Sequence, residues 1–208
     1  MSFNPAAAFI AGIARLVSGV QVTWRDGLPP ERQSVFFANH TSHLDFVVLW
    51  SALPSHLRER TRPVAAADYW DHGLRRKVAV GLFHALLVHR HHGEAGRIAQ
   101  ARDTIDRIAE GMGDRYSLII FPEGTRGTGD EIARFKSGLY YLCARKPEIQ
   151  LVPAYIANLN RILPKGEFLP VPFISRVTFG SPLFLEPSEP KERFLDRIYD
   201  AMCALKPA

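Results

Sequence analysis

Two short stretches of the chain carry side chains of the kinds that move protons and hold anions. The first, Asn39-His40-Thr41-Ser42-His43-Leu44-Asp45, puts two imidazoles close to a carboxylate. An imidazole is the side chain best able to take a proton near neutral pH, and a carboxylate on its other ring nitrogen fixes the tautomer and stabilises the imidazolium. His40 and Asp45 are five residues apart, about 140° around a single helix, so they cannot pair from one helical face. Pairing requires His40 in a loop and Asp45 in the first turn of the helix that follows. Ser42 and Asp45, three residues apart, carry the signature of a helix start there. Three other uses of these residues stay open. His43 is a second candidate base, although within the first helical turn it faces elsewhere. Ser42 and Asp45 could merely cap the helix, leaving His40 an ordinary loop residue. A metal site of His40, His43 and Asp45 matches no standard zinc-hydrolase spacing, so no metal is expected.

The second stretch is Phe121-Pro122-Glu123-Gly124-Thr125-Arg126-Gly127. Its glycines permit backbone geometry that other residues resist and expose N–H groups toward an anion. Arg126 offers a planar fork suited to phosphate, and Lys136, nine residues past Gly127, supplies a second positive charge. The plainer alternative is a strand–turn–helix connection with a surface arginine.

The surrounding pattern supplies elements to position both stretches. Ser34–Ala38 (SVFFA) and Ser117–Phe121 (SLIIF) read as short strands that lead into them. Residues 151–156 and 173–179 read as further strands, and residues 94–111, 131–145 and 191–205 as helices. Apolar runs occupy Phe46–Leu53 and Val78–Val88, and Pro54 and Pro63 bracket an arginine-rich connector. Strands alternating with helices predict an α/β fold: a single domain with a largely parallel central sheet flanked by helices. In such sheets functional loops gather at the carboxyl ends of the strands.

Composition narrows the function classes. With 208 residues, 47% of them apolar, the chain can bury a core, which excludes a disordered polypeptide. Its net charge of +5 is concentrated in residues 57–107, where ten cations face six anions. Arg58, Arg60, Arg62, Arg75, Arg76 and Lys77 dominate that excess; they form either a solvated face or a surface for acidic lipid or an acidic carrier protein. Without a recognition motif, nucleic acid is not an expected partner. Two cysteines, Cys143 and Cys203, exclude a disulfide scaffold and fit a reduced, cytoplasmic setting. No run of about 20 apolar residues exists to span a bilayer. Phe9, Ile10, Ile13, Leu16, Val17 and Val20 fall at three- and four-residue steps, predicting a one-sided helix within residues 1–25. That helix either packs on the core of residues 26–208 or lies in the membrane interface. Arg15 interrupts the stretch and no basic segment precedes it, so a signal peptide is not expected.

Together, NHTSHLD and FPEGTRG at this separation resemble the glycerolipid acyltransferase superfamily, most closely the bacterial 1-acyl-glycerol-3-phosphate acyltransferases. His40 and Asp45 match the family's first motif, a histidine, four residues and an aspartate, and Phe121–Gly127 matches its third motif without change. Leu151-Val152-Pro153-Ala154-Tyr155-Ile156 corresponds to a family strand containing Val-Pro. The LPKG at 163–166 and the FGSPL at 179–183 are also similar, so the resemblance runs from about residue 30 to about residue 185. The second motif departs from the pattern: in His84-Ala85-Leu86-Leu87-Val88-His89-Arg90 the arginine is kept, while His84 stands for a glycine and His89 for an acidic residue.

The resemblance implies a glycerol-3-phosphate acyltransferase-like fold and acyl transfer from an acyl-CoA or acyl-carrier-protein thioester to the free hydroxyl of a lysophospholipid. The foremost acceptor is 1-acyl-glycerol-3-phosphate, giving phosphatidic acid; another lyso-lipid such as lyso-ornithine lipid is the alternative. His40 is implied as general base and Asp45 as its partner. No acyl-enzyme is needed, in keeping with the lack of a G-x-S-x-G elbow. Arg90, Arg126 and Lys136 would meet the phosphate, Glu123 a glycerol hydroxyl or the arginines, and amides near Gly124 and Thr125 the oxyanion. No metal or bound cofactor is implied, and the expected location is peripheral, on the inner face of the cell membrane. An ester hydrolase and a non-catalytic lipid-binding protein are the rival readings.

Overall fold

A seven-stranded sheet organises the chain in the computed structural model, which describes residues 5–29, 31–42, 44–67, 73–88, 97–128, 131–158 and 175–207. The strands are β1 (Gln21–Trp24), β2 (Ser34–Ala38), β3 (Thr61–Ala66), β4 (Leu86–Val88), β5 (Ser117–Ile120), β6 (Gln150–Ala157) and β7 (Arg176–Phe179). Their order is β1-β7-β6-β2-β5-β3-β4. Every neighbouring pair is parallel except β6 and β7. The helices are α1 (Pro5–Ser18), α2 (Asp45–Ala52), α3 (Ser55–Arg58), α4 (Gly73–Arg76), which continues into a π-helical stretch at Lys77–Leu82, α5 (Arg97–Met112), α6 (Gly138–Arg145) and α7 (Lys191–Cys203).

All five residues of β2 are buried, because alternate side chains enter two separate cores. Phe36 and Ala38 meet Ala11 of α1, Val48 and Leu49 of α2, and Phe83. Val35 and Phe37 meet Met112 of α5, Leu139 and Leu142 of α6, and Phe194 and Ile198 of α7. The expected α/β architecture, one largely parallel sheet flanked by helices, is therefore what the chain adopts.

From β2 the chain builds β3, β4 and β5 to one side and then crosses to β6 and β7 on the other. This makes β2 the point where the winding reverses, and such sheets open a crevice at the carboxyl ends of their strands there.

Three strands were not foreseen. Four-residue β1 is an edge strand with three exposed residues, anchored by Trp24 stacked 3.8 Å from the Phe179 ring. β3 runs through the stretch expected to be a connector. Its Thr61–Pro63 half pairs with β5 and its Val64–Ala66 half with β4, so Pro63 stands at the hand-over, where a missing N–H disturbs the ladder least. β4 ends the apolar run that begins at Val78. Two of the arginines in the basic stretch are also engaged by the protein. The Arg58 guanidinium lies over Trp50, and that of Arg62 over Tyr116 with a bond to the Gly111 carbonyl.

Candidate active site

Sheet register explains how residues 83 positions apart in sequence meet. Phe37 of β2 lies opposite Ile120 of β5. His40 and Glu123 each stand three residues beyond that rung, and the His40 N–H donates to Glu123 Oε1 at 2.7 Å. On the other side, the Asn39 side chain donates to the Ile156 carbonyl at 3.0 Å and accepts the Ile156 N–H at 2.7 Å. The residue before His40 is thereby tied to β6.

The pairing anticipated for the first stretch is present. His40 sits in the loop after β2, and Asp45 is the first residue of α2. His40 Nδ1 and Asp45 Oδ2 are 2.7 Å apart. The same oxygen accepts the N–H groups of Thr41 at 2.6 Å and Ser42 at 2.9 Å. The tautomer with its proton on Nδ1 lets the ring donate to this oxygen alongside the two backbone N–H groups. The other ring nitrogen, Nε2, then has its lone pair available, and it has no hydrogen-bond partner among the described residues. Asp45 is fully buried, whereas the His40 side chain is 21% exposed. The Phe121 ring lies nearly parallel to the imidazole, 4.3 Å away, and fixes its plane.

The helix start differs from the reciprocal capping box. Asp45 reaches back to the Ser42 N–H, but the Ser42 hydroxyl accepts from Leu44 rather than from Asp45. Asp45 thus serves the imidazole and the loop amides at once. His43, the alternative base, lies outside the described residues.

The second stretch departs further from expectation. Glu123 is only 4% exposed, and both of its oxygens are occupied by backbone: Oε1 by His40 and Oε2 by the Ala133 N–H at 2.9 Å. Burial raises its pKa above the ordinary carboxylate range, opposed by these two N–H bonds and by the nearby imidazole. Gly127 closes the junction by donating to the His40 carbonyl at 2.8 Å. Gly124 has φ +72, a left-handed turn, and its N–H is taken by the Phe121 carbonyl. Of the two amides expected at the oxyanion, Gly124's is therefore engaged internally, while that of exposed Thr125 has no partner among the described residues.

The helix expected from residue 131 begins only at Gly138. The amides of Ala133 and Lys136 go to Glu123 Oε2 and the Pro122 carbonyl, which replaces the helical bonding pattern with a loop wrapped over the second stretch. That loop carries the Lys136 side chain across Gly124, where a Cβ would come within 2.6 Å of Nζ. Lys136 is exposed and Arg126 half-buried, and neither has an ion-pair partner among the described residues. Arg90 lies outside the described residues. Asn39, Phe121 and Ala133 received no role from sequence. The available signals were a polar residue closing a buried strand and an aromatic one closing its neighbour.

The N-terminal stripe is divided. Ala11 is buried and Ile10 packs on the core, while Phe9, Ile13 and Leu16 are 69%, 45% and 83% exposed. Arg15 donates to the carbonyls of Ser51 and Leu53 at the end of α2. Among the described residues no helix is long and apolar enough to cross a membrane.

The chain that builds this arrangement has counterparts among known proteins. Residues 19–157 match the model of the acyltransferase family, and the chain belongs to that family. Individual relatives include proteins named 1-acyl-sn-glycerol-3-phosphate acyltransferase from Limnanthes douglasii (24% identical over 202 residues) and Limnanthes alba (26% over 203). These alignments cover 92% and 88% of this chain but 63% of each relative, so the chain spans less than two thirds of their length. The crystal structure of the 1-acyl-sn-glycerophosphate acyltransferase PlsC from Thermotoga maritima shares the fold, with a TM-score of 0.70 at 15% identity over 96% of this chain and 78% of that one.

Proposed function

We propose that this protein is an O-acyltransferase that moves a fatty acyl group from a CoA or acyl-carrier-protein thioester to the free hydroxyl of a lysophospholipid, 1-acyl-glycerol-3-phosphate foremost. The observation that carries this reading is the 2.7 Å bond between His40 Nδ1 and fully buried Asp45, which makes Nε2 the basic nitrogen of the ring.

The acceptor oxygen attacks the thioester carbonyl carbon while Nε2 takes its proton. The tetrahedral intermediate collapses with loss of the thiolate, which recovers that proton from the imidazolium as the free thiol. The products are an ester and a thiol, with no acyl-enzyme. General-base assistance of this kind supplies about 10²–10⁴ in rate. A donor on the developing oxyanion is worth about 3 kcal/mol, and the Thr125 amide is the candidate on this loop. Arg126 and Lys136 supply the positive charge for the acceptor phosphate. Arg90 enters this reading on its motif alone.

Exposed Phe9, Ile13 and Leu16 support peripheral contact of α1 with a lipid surface, from which acceptor would be drawn. The test is to incubate purified protein with labelled acyl-CoA or acyl-carrier protein and a panel of lyso-acceptors, then resolve the products by mass. Phosphatidic acid formation supports the reading; free fatty acid alone identifies a hydrolase, and no turnover of either donor removes the enzyme reading.

A further inference from the structure

Glu123 lies in the stretch expected to bind acceptor, yet it offers an acceptor nothing. Its carboxylate is buried, and each oxygen is 2.7–2.9 Å from a backbone N–H, of His40 on one side and Ala133 on the other. We propose that Glu123 is a positioning residue, a two-ended clamp that sets His40 through its peptide group and joins the base to the loop bearing Lys136. This rests on the reading of His40 as the base.

The His40 backbone is held on both sides of its Cα by one loop, its N–H by Glu123 and its carbonyl by Gly127. Its side chain is held separately by Asp45 and Phe121. Backbone and ring are thus fixed independently, which confines Nε2. The second arm of the clamp reaches Ala133, three residues before Lys136, whose own amide is bound to Pro122 beside Glu123. One carboxylate therefore indexes both the proton acceptor and a phosphate-side cation.

The chemistry of the side chain is specific. Only an ionised carboxylate accepts on both oxygens; glutamine, or a protonated acid, turns a donor toward one of the two N–H groups. Reach is specific as well, since aspartate is one methylene shorter. The titratable groups facing the clamp are His40 on the β2–α2 loop, Asp45 at the start of α2 and Tyr155 on β6.

The test compares wild type with Glu123→Gln, using palmitoyl-CoA and 1-oleoyl-glycerol-3-phosphate, and follows the His40 amide in a ¹H–¹⁵N spectrum. Displacement of a reacting group by even 1 Å can cost about 10²-fold, so kcat is expected to fall about 10- to 100-fold with acceptor KM nearly unchanged. The His40 amide proton, downfield in wild type, is expected to move upfield in the variant. In wild type alone it should make the same move as pH falls through a carboxyl titration above the ordinary range, which covers the case of a variant that fails to fold. A raised acceptor KM with kcat preserved would return Glu123 to the acceptor site, and unchanged kinetics would remove it from the reaction. A His40 amide indifferent to both the substitution and pH would overturn the clamp. The spectroscopic arm reads the clamp even if no acceptor is turned over, so its failure and that of the proposed activity are separable.

Discussion

The two halves of the candidate site are built on opposite plans. Around His40 the positioning groups are bonded: Asp45 Oδ2 holds the ring and two amides, Glu123 and Gly127 hold the backbone, and Asn39 holds the strand end. Around the cations, Arg126 and Lys136 have no ion-pair partner among the described residues, and Lys136 is exposed. A proton acceptor works only at one place, so its geometry is over-determined. A phosphate can be met by charge that stays mobile and uncommitted, and a built-in ion pair would have to be broken before each binding event. Under the proposed function, the first half would set rate and the second affinity.

That division can be broken most decisively at the base. His40→Ala should lower transfer at least about 100-fold with the fold intact by circular dichroism. Asp45→Asn, which offers Nδ1 the wrong tautomer partner, should approach the same loss. Near-normal kcat in either variant would dissolve the rate half. Arg126→Ala should follow in size. Loss of a charged hydrogen bond is worth about 1.5–3 kcal/mol, so kcat/KM for a phosphate-bearing acceptor should drop about 10- to 150-fold, mainly through KM, while a neutral monoacylglycerol is unaffected. Equal losses on both acceptors would remove the affinity half.

Smaller effects sharpen the comparison at its margins. Leu16→Asp together with Phe9→Asp should cut co-sedimentation with anionic vesicles several-fold without changing turnover of a detergent-dispersed acceptor, since both side chains point to solvent. Gly124→Ala forces an alanine to φ +72 and into Lys136; a cost of about 1–2 kcal/mol should lower Tm by a few degrees. Least of all, Cys143, whose burial pushes its thiol pKa to about 12, should resist alkylation at pH 8 until the protein unfolds.

What the sequence revealed and what it hid divide along the range of the forces involved. β2, β5 and β6 were legible because continuous apolar runs bounded by polar residues leave little choice, and His40–Asp45 because the partners lie only five residues apart. The edge strand β1 has three of its four residues exposed and owes its place to Trp24 against Phe179, a contact made across the fold. β3 was obscured by Pro63, whose position is harmless only because two neighbours share that strand. Residues 131–136 have helical composition but yield their amides to Glu123 and Pro122. Glu123 shows the same effect: beside an arginine it looks like part of a binding site, and the backbone N–H groups it bonds lie 83 and 10 residues away.

The equal counting of His40 and Glu123 from the Phe37–Ile120 rung has a consequence for how this site can change over evolution. Losing or gaining one residue on either arm shifts one peptide against the other by about 3.3 Å, more than the bond between them spans. Residues 38–40 and 121–123 should therefore be intolerant of length variation even where their side chains are exchanged. Insertions and deletions should be confined to connections that do not start from that rung.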